Sequence, residues 1–298
     1  LTCRKRLWDN ERMEIVIGLG GAGCKIADEF AKYPQYQAYK IDEGVYTGIL
    51  DKNTFSIAKQ KTHQQYELQT PDLRAFLGHL DGEVLFVLGG SGNISGCALR
   101  VLEQIRHCKI SVLYIEPDVE LLVGDKKLQE RATYYILQEF ARSGLFERMF
   151  IISNPQLEKI LDNVPIIGYY DKLNELVVST FHMINVYANI EPVVDNFTQP
   201  DEIARISTIG ISNLENEKKL FFLLDNIKEM KYYYAISRNK LETDGSLMKK
   251  ITENIKMEND LKVSYGIFAT DYPDDYVYCI SNSSFIQFRE NEKKSLQS

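Results

Sequence analysis

Glu83–Gly96 reads EVLFVLGGSGNISG, an apolar strand run that passes directly into four glycines and two serines within the eight positions Gly89–Gly96. That is more glycine than a turn requires. The helical pattern Cys97–His107 follows at once, so the backbone N–H groups of the loop are placed to form an anion-binding concavity at a strand-to-helix junction. The same arrangement stands upstream. Glu14–Gly18 (EIVIG) has strand character, Gly18-Leu19-Gly20-Gly21-Ala22-Gly23 is a GxGxxG, and Cys24–Lys32 has helical spacing through Ile26 and Phe30. A second strand, Tyr36–Ile41, ends at Asp42, 19 positions after Gly23, where a dinucleotide-binding fold places the acid that holds a ribose. The first loop and Asp42 alone favour NAD. A second loop on a neighbouring strand favours a mononucleotide polyphosphate, whose phosphates two loops can divide between them.

Outward from these loops the chain alternates strands and helices. Ile110–Ile115 and Met149–Ser153 read as strands, Lys126–Arg142 as a helix, and Tyr170–Tyr187 as a long, mostly apolar helix without glycine or proline. Val45–Gln69 is polar and weakly patterned, and Thr70-Pro71 reads as a helix start. Strands joined through helices imply right-handed crossovers and a parallel sheet covered on both faces. After Pro200 the texture changes: Leu220–Leu224, Lys231–Ser237, Val263–Thr270 and Tyr276–Ser281 read as strands and Ser246–Lys256 as a helix. The expected class is α/β: a Rossmann-like parallel-sheet nucleotide-binding domain (13–169), a long central helix (170–190) and a smaller α+β domain (191–286). An N-terminal extension (1–12) and a short polar tail (287–298) flank them. Residues 1–12 hold the only Trp, and Met13 reads as a start or as the end of a loose arm.

The 298 residues carry 35 Lys plus Arg against 42 Asp plus Glu, a net charge of −7, which argues against bulk attraction to nucleic acid. No apolar run approaches the ~20 residues of a membrane span, so no membrane insertion is expected. Neither is a signal peptide apparent. The 5 cysteines are scattered without a CxxC pair, which reads as reduced thiols in a cytoplasmic protein rather than a disulfide or zinc framework.

With these loops in place the chain resembles the FtsZ/tubulin superfamily, as a divergent prokaryotic or phage tubulin-like protein. Gly90-Ser91-Gly92-Asn93-Ile94-Ser95-Gly96 lies where that family carries G-G-G-T-G-[ST]-G, and Gly20-Gly21-Ala22-Gly23-Cys24 is similar to its first phosphate loop. Ile151–Leu161 (IISNPQLEKIL) is similar to the segment whose Asn contacts the nucleotide, and Asn174-Glu175 falls where the family reads guanine. The resemblance covers about Met13 to Ser284. It implies GTP or GDP as ligand, with magnesium accompanying a triphosphate, and head-to-tail self-association. It further implies roles for Asn154 at ribose or base, Tyr170 stacked on the purine, and Asn174 and Glu175 reading guanine.

Departures from the family pattern bear on hydrolysis. Ile94 stands in place of a glycine and Asn93 in place of Thr. In the family, acidic residues on a loop after the central helix complete the neighbour's site with N-x-D-x-x-D. Here Asp195–Asp201 reads DNFTQPD, which puts Thr198 at the middle carboxylate and leaves Asp195 and Asp201 as the candidate catalytic acids. Slow hydrolysis or none is expected. The short C-terminus reads without the adaptor tail of bacterial division proteins, which favours a relative that positions phage or plasmid DNA. Two alternatives stand beside the filament reading: a non-hydrolysing relative acting as a structural or regulatory partner, and an NAD(P)-dependent oxidoreductase resting on Gly18, Gly20, Gly23 and Asp42.

Overall fold

The computed structural model describes residues 14–44, 52–215, 218–256, 258 and 261–289. The expected N-terminal arm and the Met13 start lie outside them, as do 45–51 and the tail beyond 289. Strands β1 (Ile15–Leu19), β2 (Gln37–Glu43), β3 (Thr54–Ile57), β4 (Glu83–Gly89), β5 (Lys109–Glu116) and β6 (Arg148–Ser153) pair in parallel in the order β3-β2-β1-β4-β5-β6. This is the order of a doubly wound sheet, whose ligand crevice opens where neighbouring crossovers run in opposite directions, between β1 and β4. The central strands are runs of Val, Ile, Leu and Phe because both faces of the sheet are covered. Helix α1 (Gly20–Phe30) covers one face. On the other lie α2 (His63–Leu68), α3 (Arg74–Leu77), α4 (Ala98–Gln104) and α5 (Asp125–Arg142). Helix α6 (Asn154–Leu161) follows β6, and α7 (Tyr169–Asn189) packs beside α1, with Phe181 against Phe30 and Phe150.

The sheet continues without a break. Strand β7 is Val194–Asp195. Strand β8 (Ile206–Ser212) joins β6 in parallel, and a short β9 (Lys219–Leu220) pairs with β8. Beyond β8 come β12 (Tyr276–Ser283), β10 (Ile227–Ser237), β11 (Lys262–Thr270) and β7, with helices α8 (Arg238–Thr243) and α9 (Leu247–Lys256) alongside. The far end of α7 spans the junction, where Tyr187 packs on Phe268 and Tyr278.

Several expectations need correcting. Thr70 and Pro71 open no helix: α3 begins at Arg74, and the Thr70 hydroxyl donates back to the Tyr66 carbonyl at 2.8 Å, closing α2 instead. The described part of Val45–Gln69 holds β3 and α2. Of Leu220–Leu224 only Leu220 is in a strand; Phe221, Phe222 and Leu224 are buried as a packed loop. Gln287, the first residue of the polar stretch, is fully buried.

Candidate functional site

Both glycine loops lie at the crevice between β1 and β4, and they touch. Gly20 has φ +71°, a conformation that disfavours side chains, and a Cβ there would stand 2.7 Å from Ile94 Cγ2. A Cβ on Gly89 would sit 3.1 Å from the Ala22 methyl. Gly18 and Gly23 serve packing, since a side chain on either would overlap backbone atoms of Gly23 and Val87 respectively. Gly21 is different: it is exposed, and a Cβ there would meet nothing within 4 Å. No packing constraint requires a glycine at that position.

Helix α1 starts without a side-chain cap and without an acid in its first turn. Its leading N–H groups and the positive end of its dipole therefore face the crevice with no side-chain cap and no first-turn acid among the described residues, an arrangement that suits an anion. The second loop closes into a 3-10 turn, Asn93–Cys97, with Ser95 N–H and Oγ–H both donating to the Gly92 carbonyl, at 3.0 and 2.7 Å. Ile94 does not have the left-handed backbone that a glycine at its place suggested. Its side chain is buried and wedges the two loops together. Asn93 reaches across to the Lys61 carbonyl at 3.4 Å. Cys24 offers no side-chain group to the crevice, because its thiol donates to the Gly18 and Ile41 carbonyls and burial pushes it up to about 12.

The remaining residues fall into separate groups. Asp42 is the penultimate residue of β2, where its Oδ1 accepts the Glu43 N–H at 2.8 Å and partial burial raises its carboxyl above its ordinary value. Asn154 opens α6 at the end of β6. Four strand spacings separate β2 from β6, about 19 Å, so one ribose cannot be held by both residues. Tyr170 is 57 % exposed in the first turn of α7, so its ring is not part of the core. Asn174 lies one helical turn on and shares its face. Glu175 lies about 140° round the helix from Tyr170. It pairs with Lys172 at 2.8 Å, which holds its carboxyl below the ordinary value, beside a groove formed with Glu29 of α1 and Lys32 in the turn that follows it. Tyr170 and Glu175 therefore cannot both face one purine.

Asp195 and Asp201 sit beyond the far end of α7, whose 21 residues span about 30 Å. Both are exposed. Asp195 accepts the Phe197 N–H at 3.3 Å and Asp201 the Ile203 N–H at 3.1 Å. The Asn196 amide is committed to the β11 backbone, accepting from Tyr265 N–H at 2.6 Å. The Asp201 N–H donates to buried Glu229 at 3.1 Å, and Asn282 ties Glu229 to Arg148 at 2.6 and 2.7 Å. The acidic loop is thus anchored at the opposite end of the molecule from the glycine loops.

Sequence reasoning missed the charged cluster under the second loop: Glu116 at the end of β5, and Glu130 with Tyr114. A glutamate ending an apolar strand at the ligand edge of a parallel sheet was the available signal for Glu116. Among the described residues there is no group of three or more His, Cys, Asp or Glu side chains that would hold a metal ion, and no helix long and apolar enough to cross a membrane.

No protein-family model and no curated protein matches the chain. Solved structures do. A GTPγS-form protofilament of TubZ from Bacillus thuringiensis serovar israelensis superposes with a TM-score of 0.70 at 17% identity, covering 97% of this chain and 94% of that one. A GTPγS-bound protofilament of CetZ2 from Haloferax volcanii gives 0.65 at 13% identity, covering 96% of each chain. An empty FtsZ dimer from M. jannaschii gives 0.64 at 12%, covering 92% and 89%. The chain has the FtsZ/tubulin fold.

Proposed function

We propose that this protein binds a guanine nucleotide in the crevice between β1 and β4 and stacks head to tail into filaments, serving cell division or the positioning of phage or plasmid DNA, with slow GTP hydrolysis or none. The observation that carries the proposal is the position of two surfaces at opposite ends of α7. Gly20–Gly23 and Gly90–Gly96 share one end with a helix start free of caps and acids, and Asp195 and Asp201 stand at the other. Within one subunit they cannot meet; stacked subunits would bring them together, and such heterologous contacts give open polymers. Apolar side chains are exposed near both ends, Ile166 and Ile167 before α7 and Val193 and Ile203 after it, as burial between subunits would require. The TubZ and CetZ2 neighbours are protofilaments in GTPγS-containing states, which supports the same reading.

In this account the α1 amides and the Gly90–Gly96 backbone hold phosphates, with Ser91 and Ser95 alongside. Asn154 takes ribose or base, and Tyr170 and Asn174 take the purine. Bound GTP supplies the phosphates to be held and a γ-phosphate whose hydrolysis Asp195 or Asp201 of a neighbouring copy would assist; magnesium would accompany the triphosphate. Residues 13–169 form the nucleotide-binding domain, 170–190 the central helix and 191–286 the second domain. Thr198 in place of a carboxylate argues for slow turnover. Equilibrium binding of fluorescent GTP, ATP and NAD analogues to the full chain tests the ligand. GTP binding with ATP and NAD excluded is expected; preference for NAD, lost on replacing Asp42, would overturn the reading in favour of an oxidoreductase.

A further inference from the structure

Beneath the Gly90–Gly96 loop lies a buried charged cluster that phosphate binding does not itself employ. Glu116 ends β5 and Glu130 sits in the second turn of α5, and both are buried. The cation between them comes from the last described residue of the chain. Arg289 Nε donates to Glu116 Oε1 at 2.9 Å, its Nη2 donates to Glu130 Oε1, and its guanidinium lies 4.4 Å from the Tyr134 ring centroid. Tyr114 Oη donates to the same Glu130 oxygen at 2.6 Å, while Glu130 Oε2 is buried without a hydrogen-bond partner. The loop rests on this cluster: a Cβ on Gly90 would overlap the Tyr114 hydroxyl and stand 3.0 Å from Glu130 Cγ.

The segment carrying Arg289 is fastened on its way there. Gln287 N–H donates to Gln138 Oε1 at 2.7 Å, and Gln138 Nε2 returns a bond to the Gln287 carbonyl at 3.4 Å. Gln287 Oε1 accepts the Asp225 N–H at 2.6 Å, and Phe288 packs on Tyr135. A strap therefore runs from the end of β12 across α5 to the underside of the second glycine loop.

We propose that Arg289 is a positioning residue for the nucleotide site: the C-terminal strap delivers the cation that holds Glu116 and Glu130 together beneath Gly90 and keeps the second glycine loop in its ligand-ready shape. This rests on the nucleotide-binding reading above. Without the guanidinium, two buried carboxylates would face each other uncompensated. They would add a negative charge next to the loop that is to receive phosphate, and the floor under Gly90 would have to repack.

The test uses the full chain and the variants R289Q, R289K and R289Q/E130Q, with two readouts. One is the Kd for a fluorescent GTP analogue. The other is hydrogen exchange of the Gly90–Gly96 amides without nucleotide, with the β10–β12 amides as the control for the fold. R289Q is expected to weaken binding about tenfold and to speed exchange in the loop while β10–β12 stay protected. R289Q/E130Q, which restores the original charge balance of the cluster, should recover most of both, and R289K should keep loop protection that R289Q loses. Wild-type behaviour of R289Q in both readouts overturns the proposal. So does a double variant no better than R289Q, or an R289K as loose as R289Q where R289Q unfolds throughout. If the wild type binds no nucleotide, the proposed function fails on its own, and exchange alone judges the strap: an unchanged loop in R289Q overturns it.

Discussion

Replacing Gly21 by alanine separates a glycine needed for packing from one needed for a ligand. Gly21 is the second residue of α1, exposed, with nothing within 4 Å of where the alanine methyl would stand and no positive φ to strain. The folded state thus meets no steric penalty. The unfolded chain loses freedom, so G21A is expected to stabilise the protein by about 0.5–1 kcal/mol. That is a rise in Tm of roughly 1–3 °C for a chain of this size. Nucleotide binding should move the other way. A methyl on the first turn stands where a phosphate oxygen must approach the amides, and losing one hydrogen bond to a charged group costs about 1.5–3 kcal/mol. In Kd that is about 10- to 150-fold. Thermal denaturation and titration with a fluorescent GTP analogue, run on the same preparations, give both numbers. A variant that is more stable but binds within twofold of wild type, at about 0.4 kcal/mol, would refute the phosphate cradle on α1. A destabilised variant would refute the geometry of the loop.

Other outcomes follow from the same structure. G20A should lose about 1–3 kcal/mol in denaturant unfolding, because alanine must adopt the left-handed backbone with Ile94 at 2.7 Å. Asp42 has a folded-state pKa raised by burial, so its contribution to stability is present below its unfolded pKa, about 3.9, and is lost as pH rises through the folded value. D42N should therefore raise Tm at neutral pH, with the gain vanishing in acid and GTP affinity unchanged; a gain largest in acid would contradict the sign. D195A and D201A, both exposed, should shift stability by no more than about 0.5 kcal/mol. They should leave GTP affinity of the isolated subunit intact and lower phosphate release only under assembling conditions, measured by a coupled phosphate assay.

Much of the fold was legible because its signals are local. The runs EIVIG and EVLFVL each end in glycine and open a helix, and these two junctions fix β1, β4 and the crevice between them. Strand β8 gives no such signal because ISTIGIS mixes small polar residues into an apolar pattern; Thr208 and Ser207 are buried there by bonding to Ile151 O and Asn282, partners distant in sequence. The edge strand β3 has four residues, too few for a period to show. Pro71 carried a helix-start signal that tertiary context overrode. In the candidate site, the glycines and the far placement of Asp195 and Asp201 were readable. Ile94 is accommodated in place of a glycine because the 3-10 turn requires no left-handed residue at that position. Arg289 gave no signal at all: an arginine in a polar C-terminal stretch acquires meaning only when folding sets it between Glu116 and Glu130, more than 150 residues away.

The central claim is most directly tested by right-angle light scattering and pelleting of the full chain with GTP, a non-hydrolysable GTP analogue, GDP, ATP or no nucleotide, with phosphate release recorded in the same samples. Assembly is expected with GTP and its analogue but not with ATP, with slow phosphate release or none, dependent on assembly. Failure to assemble together with failure to bind any guanine nucleotide would contradict it.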